Sequence, residues 1–448
     1  MLNFLIHNTP LFYLVQSIWR DEAFSILLSE RSPLWFITKI FDPPFYYLLL
    51  HYWMKIFGES ETATRSLSIL GFALSTVVVI YWAEKLFKKH WLSWFFPVFF
   101  LLNPTILYYA FEVRAYAWYV FFTVVSFYAY MEGLWILNIA AVVLGLYTHS
   151  YMLIVPATQA VHYVITHRKK FSIKKPSTIL GDRFLQSLVI MILLFSPWLY
   201  QILTNLSQLK QSWYFPVDFH LIKAVLGNLF LGYEGTPGYL WNYSTVLSIV
   251  LLETFVFAVM DRKNKKRNGF FFLMIVMPLA IIIGISFIKP LFVNRYVIPV
   301  TVAQVCMIVF ALERIKNATI QKLAAAGALL FVLIFNMWYP AKHAKLDIRN
   351  TIFQVNALMG RRDVILANSP LVLFESTYYS RDRSRVYLYN PNRVPFPWYV
   401  GGGIVSPKQI VADLPPYPIR AFIINADGSY EMTYSTDIPS HPKLNTKE

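Results

Sequence analysis

Apolar runs near the length of a bilayer alternate with short polar segments along the first 340 residues of the chain. A helix needs about 20 mostly apolar residues to cross the hydrocarbon core. Runs of this kind occupy 2–18, 66–84, 91–110, 115–131, 134–149, 151–166, 184–204, 239–260, 269–288, 296–313 and 320–339. The first is interrupted by His7, Asn8 and Pro10. A further run, 43–57, opens with Pro43-Pro44 and is short for a span. It fits a helix that lies in the interface or re-enters the membrane. After residue 340 the pattern changes to short strand-like runs at 363–367, 385–389 and 421–424, with a helix-compatible stretch at 370–379. The order predicts a β-α-β piece of a small soluble domain over 341–448. Residues 1–340 read as a membrane domain of about eleven spans, with 20–65 as a loop carrying interfacial helices.

Composition agrees with this division. Of 448 residues, 57% are hydrophobic and 14% charged, against about 25% charged in a soluble domain. The mean hydropathy is +0.48. The excess of 40 Lys+Arg over 24 Asp+Glu does not point to nucleic acid, because the basic residues cluster in short loops between apolar runs. Positive charge retained on the cytoplasmic side explains that distribution. With 43–57 not crossing and Asp21 outside, every basic loop falls inside: Lys85/Lys88/Lys89, Arg168 to Lys175, Arg262 to Arg267, and Arg314/Lys316/Lys322. If 43–57 crosses, all four clusters move outside. The chain therefore reads as a multi-pass protein of the cell membrane with its C-terminal domain extracytoplasmic. A single cysteine, Cys306, leaves no disulfide framework and no cysteine-based zinc site. The first apolar run lacks a basic leader and a small-residue cleavage site, so it does not read as a cleaved signal.

The same arrangement collects polar residues on the outer face: Asp21, Glu22 and Asp42, then Glu112, Arg114 and His149, the loop 205–238, and finally Lys289 and Arg295. A carboxylate at a membrane surface can act as a general base toward an acceptor hydroxyl. If the leaving group is a lipid phosphate, it needs positive charge around it rather than a general acid. One base with several cations therefore suits glycosyl transfer from a lipid-phosphate sugar, whereas glycosidases use a second, acidic carboxyl. Asp21 is the candidate base; its bland alternative is an interfacial carboxylate paired with Arg20. Glu22 would orient the loop or acceptor. Asp42 before Pro43-Pro44 would position substrate or simply cap a helix. Glu112 and Arg114, two residues apart, face different partners. Arg295, and less strongly Lys289, have the chemistry to hold phosphate, or to anchor a span at the interface. His149 is a substrate contact or an interfacial hydrogen bonder. With Glu22 or Glu112 it leaves room for a divalent metal, but no ligand spacing specifies one. Trp213 and Tyr214 could stack on a sugar.

Several of these stretches resemble one family, the GT-C glycosyltransferases. Ser17 to Ser25, with Trp19-Arg20-Asp21-Glu22 at its centre, resembles the acidic motif of the family's first outer loop. Asp42-Pro43-Pro44-Phe45-Tyr46-Tyr47-Leu48 is similar to the Pro-Pro-Leu-Tyr-Tyr helix that follows it. Phe111-Glu112-Val113-Arg114-Ala115-Tyr116 is similar to a Gln-Glu-Ala-Arg-Met-Tyr stretch, and Tyr147-Thr148-His149 and Asn294-Arg295-Tyr296 also match. The likeness covers roughly 10–310 and lies toward the protein-mannosyltransferase-like and aminoarabinose-transferase-like branch. It implies an inverting enzyme using a polyprenyl-phosphate monosaccharide, with a lipid, glycan or protein acceptor. It assigns the base role to Asp21, second-carboxylate and phosphate roles to Glu112 and Arg114, and a phosphate role to Arg295. One departure is Asp42, where many relatives carry His or Lys. The competing classes are a transporter or flippase of lipid-linked glycans and a non-catalytic envelope assembly protein. A transporter would place ionisable residues near the bilayer midplane. Here only Glu253 falls at a span centre.

Overall fold

The computed structural model describes residues 6–39, 42–168, 181–204, 216–232, 238–396, 401 and 404–436. Trp213, Tyr214 and the lysines of 169–175 lie outside the described residues. The helices in chain order begin with α1 (Phe12–Val15), α2 (Arg20–Ser29), α3 (Pro33–Lys39), α4 (Phe45–Phe57), α5 (Glu61–Phe87), α6 (Leu92–Leu101), α7 (Pro104–Ala110), α8 (Tyr116–Glu132) and α9 (Trp135–Leu146). They continue with α10 (Ile154–Thr166), α11 (Arg183–Thr204), α12 (Phe219–Leu231), α13 (Trp241–Val259), α14 (Lys265–Ser286), α15 (Ile298–Arg314), α16 (Ala318–Trp338), α17 (Ile348–Leu358) and α18 (Pro370–Tyr379). The chain forms two compact units, one of residues 1–14 with 40–343, the other of 15–39 with 344–448.

Among the described residues of the first unit, α5, α11, α13, α14, α15 and α16 are long and apolar enough to cross a membrane, and the pair α6–α7, bent by 57°, makes up to seven. Hydropathy predicts about eleven spans. The difference arises because an apolar run is not the same length as the helix within it. The run 91–110 breaks where the Asn103 side chain accepts the Ile106 amide at 3.1 Å and Pro104 starts a new helix. Helix α8 stops after 17 residues at Gly133, whose φ of +70° is the left-handed closure that glycine adopts readily. Helices α9 and α10 have only 12 and 13 residues. The run 43–57 forms the 13-residue α4, shorter than a span requires.

Helix α15 is buried continuously from Ile298 to Leu312, as expected for a helix apolar on every face. Some polar residues between the helices bond to one another. Ser126 of α8 donates to Asn138 of α9 at 2.7 Å, Asn138 donates to Gln159 of α10 at 3.0 Å, and Gln159 donates back to Ser126 at 2.9 Å. The closed ring satisfies these three side chains on one another. Glu253, exposed on α13, lines an apolar cavity of about 590 Å³ with Phe99, Leu251, Phe257 and Phe331.

In the second unit, the strands β1 (Val364–Ala367), β2 (Val386–Tyr389), β3 (Ile410–Val411), β4 (Ala421–Ile424) and β5 (Tyr430–Thr433) form one sheet in the order β3-β2-β1-β4-β5. All neighbours are parallel except β4 and β5. Helix α18 connects β1 to β2, so the expected β-α-β piece is present. The segment 15–39 is tied to this unit along its length. Ser17 Oγ donates to the Leu346 carbonyl at 2.7 Å, the Ile18 amide to the Tyr379 hydroxyl at 2.6 Å, and Arg383 pairs with Glu30 at 2.6 Å. The Phe24 and Phe374 rings meet edge to face at 5.6 Å.

Helices α12 and α13 touch at Gly227, whose amide donates to Ser248 Oγ at 2.8 Å. A Cβ at Gly227 would collide with the Ser244 carbonyl oxygen. Gly227→Ala should therefore force the two helices apart and cost about 1–3 kcal/mol of overpacking. A thermal-inactivation series in detergent reads this as a lower midpoint; an unchanged midpoint would show that the helices do not approach there.

Candidate active site

The sequence candidates divide between the two units, and each unit builds a distinct set. In the second, Trp19 precedes α2, so Asp21 and Glu22 fall in the helix's first turn, where unpaired amides favour negative charge. The two carboxylates differ in surroundings. Glu22 is fully buried, accepts the Trp19 amide at 3.3 Å and pairs with Lys345 Nζ at 3.0 Å. The Trp19 amide bond is the backward-reaching half of a capping box. The Lys345 ammonium also stands 5.3 Å from the Trp19 ring centre. Asp21 keeps 18% of its side chain exposed and pairs with Arg20 Nε at 3.0 Å. Glu22 is thus committed to holding the turn, while Asp21 keeps part of its carboxylate exposed beside Arg20.

In the first unit, the turn between α7 and α8 carries Glu112 and Arg114. Ser68 of α5 donates to the Glu112 carbonyl at 2.5 Å, and the Arg114 amide donates to the same carbonyl at 2.8 Å. The Glu112 side chain is buried, within electrostatic reach of the Tyr13 phenol. His149 lies in the turn after α9. Its ring stacks on Tyr119 at 4.6 Å with 9° between planes, and meets Tyr296 at 5.0 Å, Tyr116 at 5.8 Å and Tyr151 at 5.8 Å. The Tyr119 hydroxyl donates to the Tyr296 carbonyl at 3.1 Å, and the Tyr151 hydroxyl to the Leu291 carbonyl at 2.6 Å. These tyrosines hold the segment that carries Arg295. Arg295 is itself buried, 5.8 Å from the Tyr296 ring centre, and Arg114 stands at the same distance from Tyr116.

Burial, reinforced by the Arg114 and Arg295 charges, pushes the His149 imidazole down to about 3. It is therefore neutral at ordinary pH. Its Nδ1 accepts the Tyr151 amide at 3.2 Å, so Nε2 carries the hydrogen and can only donate. Asp42 and Arg114 both act on the buried Tyr47 phenol of α4, which places Asp42 at the edge of the same set. Burial first, and then the Asp42 carboxylate, push that phenol's proton affinity well up. Lys289, half-buried, bonds through its amide to the Ile285 carbonyl at 2.9 Å. It is not among the charges that act on His149.

The first unit thus gathers Glu112, Arg114, His149 and Arg295, with Asp42 at the margin. Two guanidiniums and a donating imidazole suit a phosphate-like anion. Among the described residues no group of three His, Cys, Asp or Glu side chains is placed to hold a metal ion. Lys345, Tyr119 and Tyr151 were not singled out in the sequence. The two tyrosines are lost among the 29 of the chain, and Lys345 has no motif around it.

No protein-family model matches the chain, and no curated protein matches it in sequence. Solved structures do match in the course of the backbone. ArnT from Cupriavidus metallidurans in the apo state is 12% identical, with a TM-score of 0.62 over 94% of this chain and 90% of that one. The same protein bound to undecaprenyl phosphate is 13% identical, with a TM-score of 0.62 over 94% and 92%. At that identity the likeness establishes architecture alone. Together with the apolar helices and the small C-terminal sheet, it makes this chain a multi-pass membrane protein that shares the fold of ArnT.

Proposed function

We propose that the chain is an inverting glycosyltransferase that moves a monosaccharide from a polyprenyl-phosphate donor to an extracytoplasmic lipid, glycan or protein acceptor. The observation that carries this reading is the gathering of two guanidiniums, Arg114 and Arg295, around the neutral, hydrogen-donating His149. Such a set binds an anion whose charge grows as a bond to it breaks. The fold supports the choice of anion, since ArnT with this architecture has been seen with undecaprenyl phosphate bound.

In this reading the Asp21 carboxylate takes the proton from the acceptor hydroxyl as its oxygen attacks the anomeric carbon. The bond from that carbon to the phosphate oxygen breaks on the opposite side, which inverts the centre. Arg114 and Arg295 take up the charge that collects on the departing polyprenyl phosphate. Glu112 serves as the second carboxylate, orienting the sugar, and Asp42 positions substrate at the margin. Glu22 fixes the turn that presents Asp21. The crowding of basic residues into alternate loops supports an outward-facing site.

Asp21→Asn keeps the shape of the side chain but removes the base. It should abolish transfer from a purified undecaprenyl-phosphate sugar, by about 100-fold or more, while donor binding persists. Full activity in that variant would sink the mechanism. Arg114→Ala and Arg295→Ala should each weaken binding of undecaprenyl phosphate by about ten- to a hundred-fold, the worth of a charged hydrogen bond. Binding of the uncharged polyprenol should be unaffected, and equal losses for both lipids would argue against a phosphate role. For orientation, a cysteine at exposed Glu59 should react with an impermeant label on intact cells, and one at exposed Lys265 should not; the reverse result would turn the chain over.

A further inference from the structure

We propose that the arginine-rich end of the C-terminal sheet, with the exposed face of α3, is a docking surface for anionic phospholipids of the bilayer. The geometry comes from the second unit alone, and the proposal does not depend on the reading of Asp21 as the base.

Strands β1, β2 and β4 are parallel neighbours, so their first residues lie at one end of the sheet. The residues leading into them are strongly basic. Arg361 and Arg362 precede β1, Arg381, Arg383 and Arg385 precede β2, and Arg420 precedes β4. Arg385 ties two of these loops together, donating through Nη1 to the Gly360 and Arg361 carbonyls at 2.9 and 3.0 Å. The carboxylates at this end are already engaged. Asp382 pairs with Arg385 Nε at 2.8 Å, Asp363 with Arg420 Nη2 at 2.5 Å, and Glu30 with Arg383 Nη1 at 2.6 Å. Arg361, Arg362 and Arg381 remain, each exposed and without an ion pair among the described residues. The loops that leave these strands at the opposite end show no such excess: Arg393 follows β2 and Asp427 follows β4. A guanidinium fork fits the two free oxygens of a phosphodiester.

The second observation is apolar. Glu30, held by Arg383, closes α2, and the chain runs on directly into α3. There Leu34 is 73% exposed and Ile37 37%. At i and i+3 they share one face of the helix. Exposed Arg31, just before that helix, stands 5.5 Å from the Trp35 ring centre. Apolar side chains beside guanidiniums suit a surface that lies on lipid: the first enter the acyl boundary and the second meet the headgroup phosphates. A soluble acidic partner would use the guanidiniums and leave Leu34 and Ile37 in water. Lipid is at hand, because the chain passes between this unit and the membrane unit after residues 14, 39 and 343.

The test is the rate at which L34C reacts with a neutral maleimide, with the full chain in nanodiscs. Cys306 is buried and stays in place. Discs of phosphatidylcholine alone are compared with discs holding about a third phosphatidylglycerol. L34C should react about ten-fold more slowly in the anionic discs. The protection should fade in about 1 M salt. It should also be lost in R361Q/R362Q/R381Q, since each basic residue at an anionic surface is worth about five-fold in partition. V394C, exposed after β2 at the opposite end, should react equally in both discs. Equal rates for L34C in the two discs overturn the proposal, as does slowing that persists in the triple variant or appears in V394C. Protection of L34C by soluble polyphosphate in phosphatidylcholine discs, with none from phosphatidylglycerol, also overturns it and assigns the arginines to a soluble acidic partner. If the triple variant fails to fold, the salt dependence with all arginines present still decides.

Discussion

Glu22 has no access to solvent, and a buried carboxylate costs several kcal/mol unless a cation and hydrogen-bond donors replace its water. Lys345 and the Trp19 amide supply that replacement. The pair fixes more than itself. It fastens the turn that presents Asp21, and with the Ser17, Ile18 and Glu30 contacts it makes residues 15–39 part of the C-terminal unit. The residues after 343 therefore supply the counter-ion for the segment that carries the proposed base.

The first unit solves a related problem by different means. Arg114 and Arg295 stand near one imidazole, and three like charges there would repel. Burial keeps His149 neutral, and four tyrosine rings surround it without adding charge. The same rings hold the chain on either side, through the Tyr119 and Tyr151 hydroxyls. Aromatic residues so numerous in this chain are mostly packing against lipid or each other; here a few of them set an electrostatic state.

Much of the architecture was legible because hydrophobic length is a local property. The apolar runs, the short α4 and the β-α-β order at the C-terminus all follow from patterns within about twenty residues. Helix ends were less legible, because a cap such as Asn103 or a closure such as Gly133 divides an apolar run without changing its hydropathy. The alternation of spans suggested a larger outer-face set, Asp21, Glu22, Asp42, Glu112, Arg114, His149, Lys289 and Arg295, but could not say which of them lie in one unit. The partnership of Glu22 with Lys345 was not, since 323 positions separate them and neither has a spacing that names the other.

That separation has a consequence in time. A ribosome adds about 5–20 residues per second, so Lys345 emerges roughly 15–65 s after Glu22, 323 positions earlier. Through that interval the α2 segment has neither its counter-ion nor the helix that covers it, and Asp21 has no fixed place. The membrane helices can insert one after another meanwhile. The nascent chain therefore carries Glu22 without its counter-ion until Lys345 has been made.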